Sequence, residues 1–409
     1  MERLGMTNKN IILNLSVEAA VFGFRSGLSP TGAHFRVMRH FSSPFLLGPS
    51  PSDKLLALVV HLFTEDEADL VQHLTPLRPK SARKVAELSG RNEEETARIL
   101  DFLAFTKRVI LAYGKPRKYT ILPIVPGTFE MALMTPDLSS RNSWHKEFAR
   151  LFEELWDEGY IVDYTKRVSP GIRYLPVSNS GQTLSSAWPS EKLEEILEPY
   201  SDFAVGNCQC RLAMILVEKG CGRPLENCVV MGPGARKFIE RGLMRKSDAR
   251  EVLAIKREAE ASGCVSWINN DIGGIPRGNS SCSCCGCCCH AMRSISQFNS
   301  PGMIVKPHFF PAIAPSLCVK CAKCIPACPM GALSLVSGYL SFDSARCIGC
   351  GLCTLSCPTK ALSLSEAKDA APHRASRAGL FFDLAPGYLS NVLRVWLKRK
   401  RHPASPLQK

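Results

Sequence analysis

Cys318-Val-Lys-Cys321-Ala-Lys-Cys324-Ile-Pro-Ala-Cys328-Pro329 and Cys347-Ile-Gly-Cys350-Gly-Leu-Cys353-Thr-Leu-Ser-Cys357-Pro358 are two copies of one pattern. Each cysteine of the first copy recurs 29 residues later, and Ala332-Leu-Ser-Leu335 returns as Ala361-Leu-Ser-Leu364. This is an internal duplication. Three closely spaced cysteines on a tight loop can wrap one side of a metal cluster, and a fourth ligand must then arrive from elsewhere. Pro329 and Pro358 turn the chain after each run and remove a backbone donor there.

The spacing C-x2-C-x2-C-x3-C-P resembles that of bacterial-type two-cluster ferredoxins. In those proteins the cysteine before proline ligates the other cluster. The resemblance therefore implies two 4Fe-4S clusters. One is expected on Cys318, Cys321, Cys324 and Cys357, the other on Cys347, Cys350, Cys353 and Cys328. A zinc ribbon does not produce two four-cysteine runs each closed by proline, and a disulfide framework needs an oxidising compartment.

The rest of the composition fits that reading. The chain has 409 residues, 45% hydrophobic and 22% charged, which is the balance of a soluble globular protein with several domains. Its 19 cysteines cluster in ligand-like spacings, which points to metal in a reducing cytoplasm. Residues 11–24 fall short of a signal peptide: Glu18 interrupts the apolar run, no A-x-A-like site follows, and the stretch is too short to span a bilayer. The net charge of +14 is uneven, with Arg394, Lys398, Arg399, Lys400, Arg401 and Lys409 crowding the end.

Eleven further cysteines lie upstream of the repeat. Cys208-Gln-Cys210-Arg211 is followed by Cys221 and Cys228, and later by Cys282-Ser-Cys284-Cys285-Gly-Cys287-Cys288-Cys289-His290. A helix from Ser247 as N-cap to Gly263 is expected to return the chain so that the two groups meet. In an extended run, Cys282, Cys284 and Cys288 face one side, and Cys285, Cys287 and Cys289 the other. Three readings stand open. These cysteines hold a further Fe–S centre or pair of centres, since soft thiolates select iron–sulfur or zinc. Alternatively Cys208, Cys210, Cys221 and Cys228 hold a structural zinc, or the thiols are redox-active or free. Arg211 lowers a neighbouring thiolate's pKa or forms a surface salt bridge; Cys264 and His290 read as structural.

The N-terminal half is mostly helical in pattern. Residues 1–50 read as a loosely packed arm. From 51 to 125 the periodicity gives helix, helix, helix and a two-stranded ribbon, which resembles a winged helix. Its signals are the capping box Thr64–Glu67, the caps Ser81 and Asn92, and the turn after Tyr113. The recognition helix opens with Glu93-Glu94-Glu95 and carries Asp101, which argues against DNA, because phosphate contacts supply most of such binding. Residues 126–300 read as a mainly helical connecting and cysteine-rich domain. An aromatic stripe from Trp144 to Trp156 forms core, a loop spans 168–190, and Ser190 caps a helix through Leu197. Gly232-Pro-Gly234 resembles the start of a dinucleotide loop, but Lys237 stands in place of its third glycine, and no nucleotide site is read there. No Walker motif, nucleophile elbow or Ser/His/Asp pattern is visible.

Together these features resemble 4Fe-4S dicluster proteins of anaerobic bacteria. Those proteins join a winged-helix-like segment to a C-x-C-R…C…C and C-C-x-C-C-C region and a ferredoxin module, here 312–365. The fold class expected is a multidomain α+β chain. The resemblance implies electron transfer with a redox partner protein, beside a larger oxidoreductase. An oxidoreductase subunit with chemistry at residues 208–289, and a redox-sensing winged-helix regulator, are the alternatives. Residues 366–409 form a linker and a tail whose apolar stretch with Trp396 and basic end either packs on the protein or lies on an anionic membrane face.

Overall fold

The computed structural model describes residues 30–401 except 77, 136, 166–170, 178–191, 270–278, 369 and 371–376. The apolar stretch 11–24, Ser190 and most of the loop 168–190 lie outside the described residues. The chain divides into two compact units. One comprises Met1–Leu133, Arg141–Asp163 and Val392–Lys409; the other comprises Met134–Ser140 and Tyr164–Asn391.

The first unit is helical with one ribbon. The stretch that reads as a loose arm contains a helix, α1 (Gly32–Phe41), whose Phe35, Val37, Met38 and Phe41 are all buried. Their spacing is a helical face hidden among Gly, Ser and Pro neighbours. Helix α2 (Asp53–Leu62) buries Leu55, Leu56, Leu58, Val59 and Leu62. Helix α3 (Glu65–Val71) starts at a complete capping box in which Thr64 and Glu67 each accept the other's backbone N–H. Ser81 caps α4 (Ala82–Ser89), which stops at left-handed Gly90, and Asn92 caps α5 (Glu93–Asp101). Strands β1 (Ile110–Tyr113) and β2 (Lys118–Ile121) then pair antiparallel, and Tyr119 bridges back to Lys80.

Helices α6 (Phe129–Leu133) and α7 (Ser143–Asp157) belong to this unit and not to a separate connecting domain. The aromatic stripe of α7 is core: the Phe129 and Phe152 rings stack 4.1 Å apart, and Trp144 and Phe148 lie parallel at 5.6 Å. The last helix (Arg377–Arg401) reaches this unit with its final turns, where Val392 and Val395 are buried. Arg399 donates to the carbonyl oxygens of Ser42 and Gly48, and Lys398 stands 3.3 Å from Asp163. Part of the basic end is therefore spent on internal contacts. No helix among the described residues is long and apolar enough to cross a membrane.

The second unit is not mainly helical. It is built on a six-stranded antiparallel sheet in the order β3-β7-β8-β5-β4-β6. These strands are β3 (Ile172–Tyr174), β4 (Phe203–Asn207), β5 (Glu226–Met231), β6 (Arg245–Ser247), β7 (Val265–Asn269) and β8 (Asn279–Cys284). The strands are short, and β8 reads Asn-Ser-Ser-Cys-Ser-Cys, with no apolar alternation to announce it. Helix α8 (Leu193–Leu197) and the long helix α9 (Ala249–Ala261), capped by Asp248 and not Ser247, cover a core of Phe203, Val205, Val229, Met231, Val252 and Ile268.

The duplicated segment belongs to the same unit. Strand β9 (Phe309–Ile313) pairs with β12 (Leu362–Glu366), and β10 (Leu333–Val336) pairs with β11 (Tyr339–Phe342). The module thus extends to Phe309 and Glu366, slightly beyond the spacing pattern. Single-turn helices Cys324–Ala327 and Leu352–Leu355 lie within the two runs, each just before the closing cysteine. The sequence repeat is a structural one.

Glu67 has a second task besides capping α3, because Lys107 Nζ lies 2.7 Å from its carboxylate in a mostly buried pair. Glu67→Ala is expected to cost about 3 kcal/mol by stranding that lysine, against about 1 kcal/mol for Thr64→Ala, which removes the cap alone. Urea denaturation of the two variants checks the order.

Candidate metal centres

The loops of the duplicated runs are shaped by backbone conformation. Lys320 and Ala322 adopt left-handed φ values of 57° and 59°, and Gly349 and Gly351, their counterparts in the second run, adopt 69° and 77°. Two left-handed residues alternating with cysteines curl each run around a centre. Gly349 has an additional reason to lack a side chain, since a Cβ there would meet Pro307 at 2.6 Å and the Phe309 carbonyl oxygen at 2.7 Å.

The runs close over two cavities. Cys318, Cys321, Cys324 and Cys357 line one; Cys328, Cys347, Cys350 and Cys353 line the other. Each cavity thus receives three cysteines from one run and the last cysteine of the other. Their walls are apolar, including Leu335, Leu340 and Leu362 around the first and Met330, Phe342 and Ile348 around the second. Burial pushes the Cys347 thiol up to about 11 and the Cys353 thiol up to about 12, and it raises Cys350 as well. Bare thiols at Cys347, Cys350 and Cys353 are thus held protonated, whereas an iron–sulfur cluster demands thiolates and supplies the compensating positive charge.

The upstream cysteines separate into three groups. Cys221, Cys285, Cys287 and Cys288 form the first, with their sulfurs all within 4.8 Å of one another. Cys208, Cys210, Cys284 and Cys289 form the second, a chain of thiol–thiol hydrogen bonds. Hydrogen bonding with Cys210 lowers the Cys208 pKa, and hydrogen bonding with Cys210 and Cys284 lowers that of Cys289. The third is a pair across the sheet, Cys228 and Cys282, with sulfurs 3.5 Å apart.

Neither arrangement read from the sequence is present. Strict alternation ends at Cys284, where β8 ends. Residues 285–289 then form a turn closed by the amide N–H of Cys289 donating to the Cys285 carbonyl at 3.1 Å. The turn places Cys285, Cys287 and Cys288 together and sends Cys284 and Cys289 to a different group. The quartet Cys208, Cys210, Cys221 and Cys228 is dispersed over all three groups.

Two buried cations lie among these thiols. Arg211 is fully buried, donating from Nη2 to Cys264 Sγ at 3.3 Å, to the Ser283 carbonyl at 3.2 Å and to Cys285 Sγ at 3.5 Å. Burial opposes its charge, but Cys208, Cys285 and Cys264 outweigh that cost and raise its pKa. Arg211 is therefore no surface salt bridge. Cys264 serves as a neutral partner, its thiol pushed up to about 11 by burial. Lys256, also fully buried, reaches the Asn227 carbonyl at 3.4 Å; burial lowers its pKa, and Cys282, Cys228 and Cys284 pull the other way. His290 Nδ1 lies 3.2 Å from Cys210 Sγ. Lys256 gave no sequence signal, because it looks like any lysine on an amphipathic helix. Arg223, whose Nη1 donates to Cys287 Sγ at 3.6 Å, was foreshadowed only by Cys221-Gly-Arg223.

The two cysteine regions are joined. Cys284, Cys289, Met292 and Tyr174 share one core with Met330, Ile348, Cys350 and Leu352 of the duplicated segment. The Val177 N–H donates to the Cys350 carbonyl at 2.9 Å. Gly286 lies so close to Pro329 that a Cβ would fall 1.8 Å from the proline's carbonyl oxygen. A cavity of about 230 Å³ opens beside this contact, lined by Arg223, Cys287, Pro326 and Leu352 among others.

With that geometry in place, comparison with known proteins adds one match. The 4Fe-4S dicluster domain family matches residues 317–361. The chain carries a ferredoxin-type iron–sulfur domain. No curated protein and no solved structure matches the chain.

Gly286→Ala is expected to force the Cys285–Cys288 turn away from Pro329 and to destabilise the second unit by about 2 kcal/mol, within the usual cost of overpacking. Thermal unfolding of the iron-loaded protein checks this; an unchanged midpoint would show that the turn moves freely.

Proposed function

We propose that the protein is an iron–sulfur electron carrier. Two 4Fe-4S clusters, one on Cys318, Cys321, Cys324 and Cys357 and one on Cys347, Cys350, Cys353 and Cys328, relay single electrons. They connect a redox partner protein with a further thiolate-bound centre on residues 208–289. The observation that carries this reading is the pair of cavities, each walled by three cysteines of one run and the closing cysteine of the other. A bound cluster supplies one-electron redox chemistry there. The chain's own residues fix the potential: apolar walls exclude water, and N–H groups near the sulfurs stabilise the reduced state. The backbone N–H of Ala332, 3.3 Å from Cys328 Sγ, is one such donor.

Burial of Cys284 and Cys289 in the core that also holds Cys350 supports the inner group as the internal end of the relay. A second reading, catalysis at the 208–289 region, has the cavity beside Cys287 and Arg223 in its favour. Regulation through a winged helix has less support. Glu93, Glu94 and Glu95 are exposed at the start of α5, and Arg117 on the ribbon is engaged by Asp101.

The test is anaerobic purification followed by iron analysis and electron paramagnetic resonance of the reduced protein. About eight irons or more per chain are expected, with signals of two interacting clusters. Cys357→Ser should perturb the cluster held by Cys318, Cys321 and Cys324 and leave the second one reducible; Cys328→Ser should do the reverse. Protein without reducible iron would end the carrier reading.

The tail is a separate matter. Leu393 and Trp396 are exposed beside Lys400, which supports peripheral contact with an anionic membrane. Pelleting with anionic liposomes should fall when the tail is removed; unchanged pelleting ends the idea.

A further inference from the structure

We infer that Cys221, Cys285, Cys287 and Cys288 hold a single tetrahedral zinc ion, separate from the iron–sulfur clusters. The inference deepens the reading above by dividing the 208–289 cysteines into a metal tie and an inner redox group.

Spacing carries it. Around one zinc with bonds of about 2.3 Å, tetrahedral geometry sets the sulfurs about 3.8 Å apart. Cys221 and Cys285 stand 3.9 Å apart and Cys287 and Cys288 3.7 Å apart, and all the sulfurs of the quartet lie within 4.8 Å of each other. A cubane must fit four irons between its ligands, which forces the thiolates wider. The two ferredoxin quartets, in the same unit, show that wider form: each encloses a cavity. Among the described residues, only the Cys221 quartet is gathered closely enough for one ion.

Charge points the same way. Zinc with four thiolates carries a net charge of about −2, which is costly on the buried side of the quartet, at Cys285 and Cys288, without cations nearby. Arg211 Nη2 donates to Cys285 Sγ at 3.5 Å and Arg223 Nη1 to Cys287 Sγ at 3.6 Å, so a guanidinium stands on each of two ligands. Donors to ligating sulfur are the outer support expected of such a site. Arg211 is fully buried and cannot lose its proton, so anionic sulfur beside it answers a need of its own.

The ion would tie the loop that carries Cys221, between β4 and β5, to the turn after β8, across 64 residues of chain. That turn contains Gly286, which meets Pro329 next to the cluster ligand Cys328. Zinc has no redox chemistry. Its task is to hold the sheet's cysteine turn against the ferredoxin module.

The test uses the full chain purified anaerobically. Zinc-edge X-ray absorption should show four sulfur neighbours at about 2.3 Å and no iron neighbour, and metal analysis one zinc per chain. Cys221→Ser should lose the zinc and keep the ferredoxin iron and its paramagnetic signals. Absence of zinc, nitrogen or oxygen ligation, or loss of iron in Cys221→Ser would overturn the assignment. The intact-protein spectrum decides even where the variant fails to fold. Zinc present with no reducible iron would uphold this site while removing the electron-carrier reading, so the two fail separately.

Discussion

A guanidinium that keeps its proton at any physiological pH is sealed inside the second unit, and its neighbours are sulfur atoms and carbonyl oxygens. Arg211 makes the most of this arrangement, bonding Cys264, Cys285 and Ser283 from one nitrogen. A charge buried this deeply is tolerated only where opposite charge meets it. Thiolates are the anions within reach, and thiolates in an apolar interior persist when a metal holds them. The six-stranded sheet, the turn at Gly286 and the helix carrying Lys256 can be understood as the scaffold that gathers cysteine and cation in one place.

The duplicated module solves the related problem of convergence. A single run cannot surround a cube with its own four cysteines, so each run lends its last one to the other. The exchange makes the two halves interdependent, and the pairing of β9 with β12 closes the module around them. Left-handed backbone at matching positions of both runs shows that the duplication preserved loop shape even where the side chains differ, as with Lys320 against Gly349.

How much of this was legible beforehand depended on how local the signal was. The cysteine runs and the helix caps at Thr64, Ser81 and Asn92 are set by residues a few positions apart, and they can be read directly. The aromatic stripe of α7 was equally plain. The sheet was not, because its strands are short and polar, and what makes β8 a strand is its neighbours β7 and β5 and not its own pattern. The grouping of the upstream cysteines was hidden for a similar reason. One tight turn at Gly286 redistributes the whole run, and the glycine's role becomes visible only when Pro329 is seen against it. Helix α1 carries little signal of its own, because its buried face is short and lies among residues typical of loops.

The hydrogen bond between the Val177 N–H and the Cys350 carbonyl has a bearing on the rate of electron movement. Tunnelling decays less steeply through covalent and hydrogen-bonded contacts than through empty space. From Cys350, that bond leads into the strand extension that begins at Tyr174, whose ring shares a core with Cys284 and Cys289. The backbone thus gives Cys350 a continuous hydrogen-bonded and packed connection to the core beside Cys284 and Cys289.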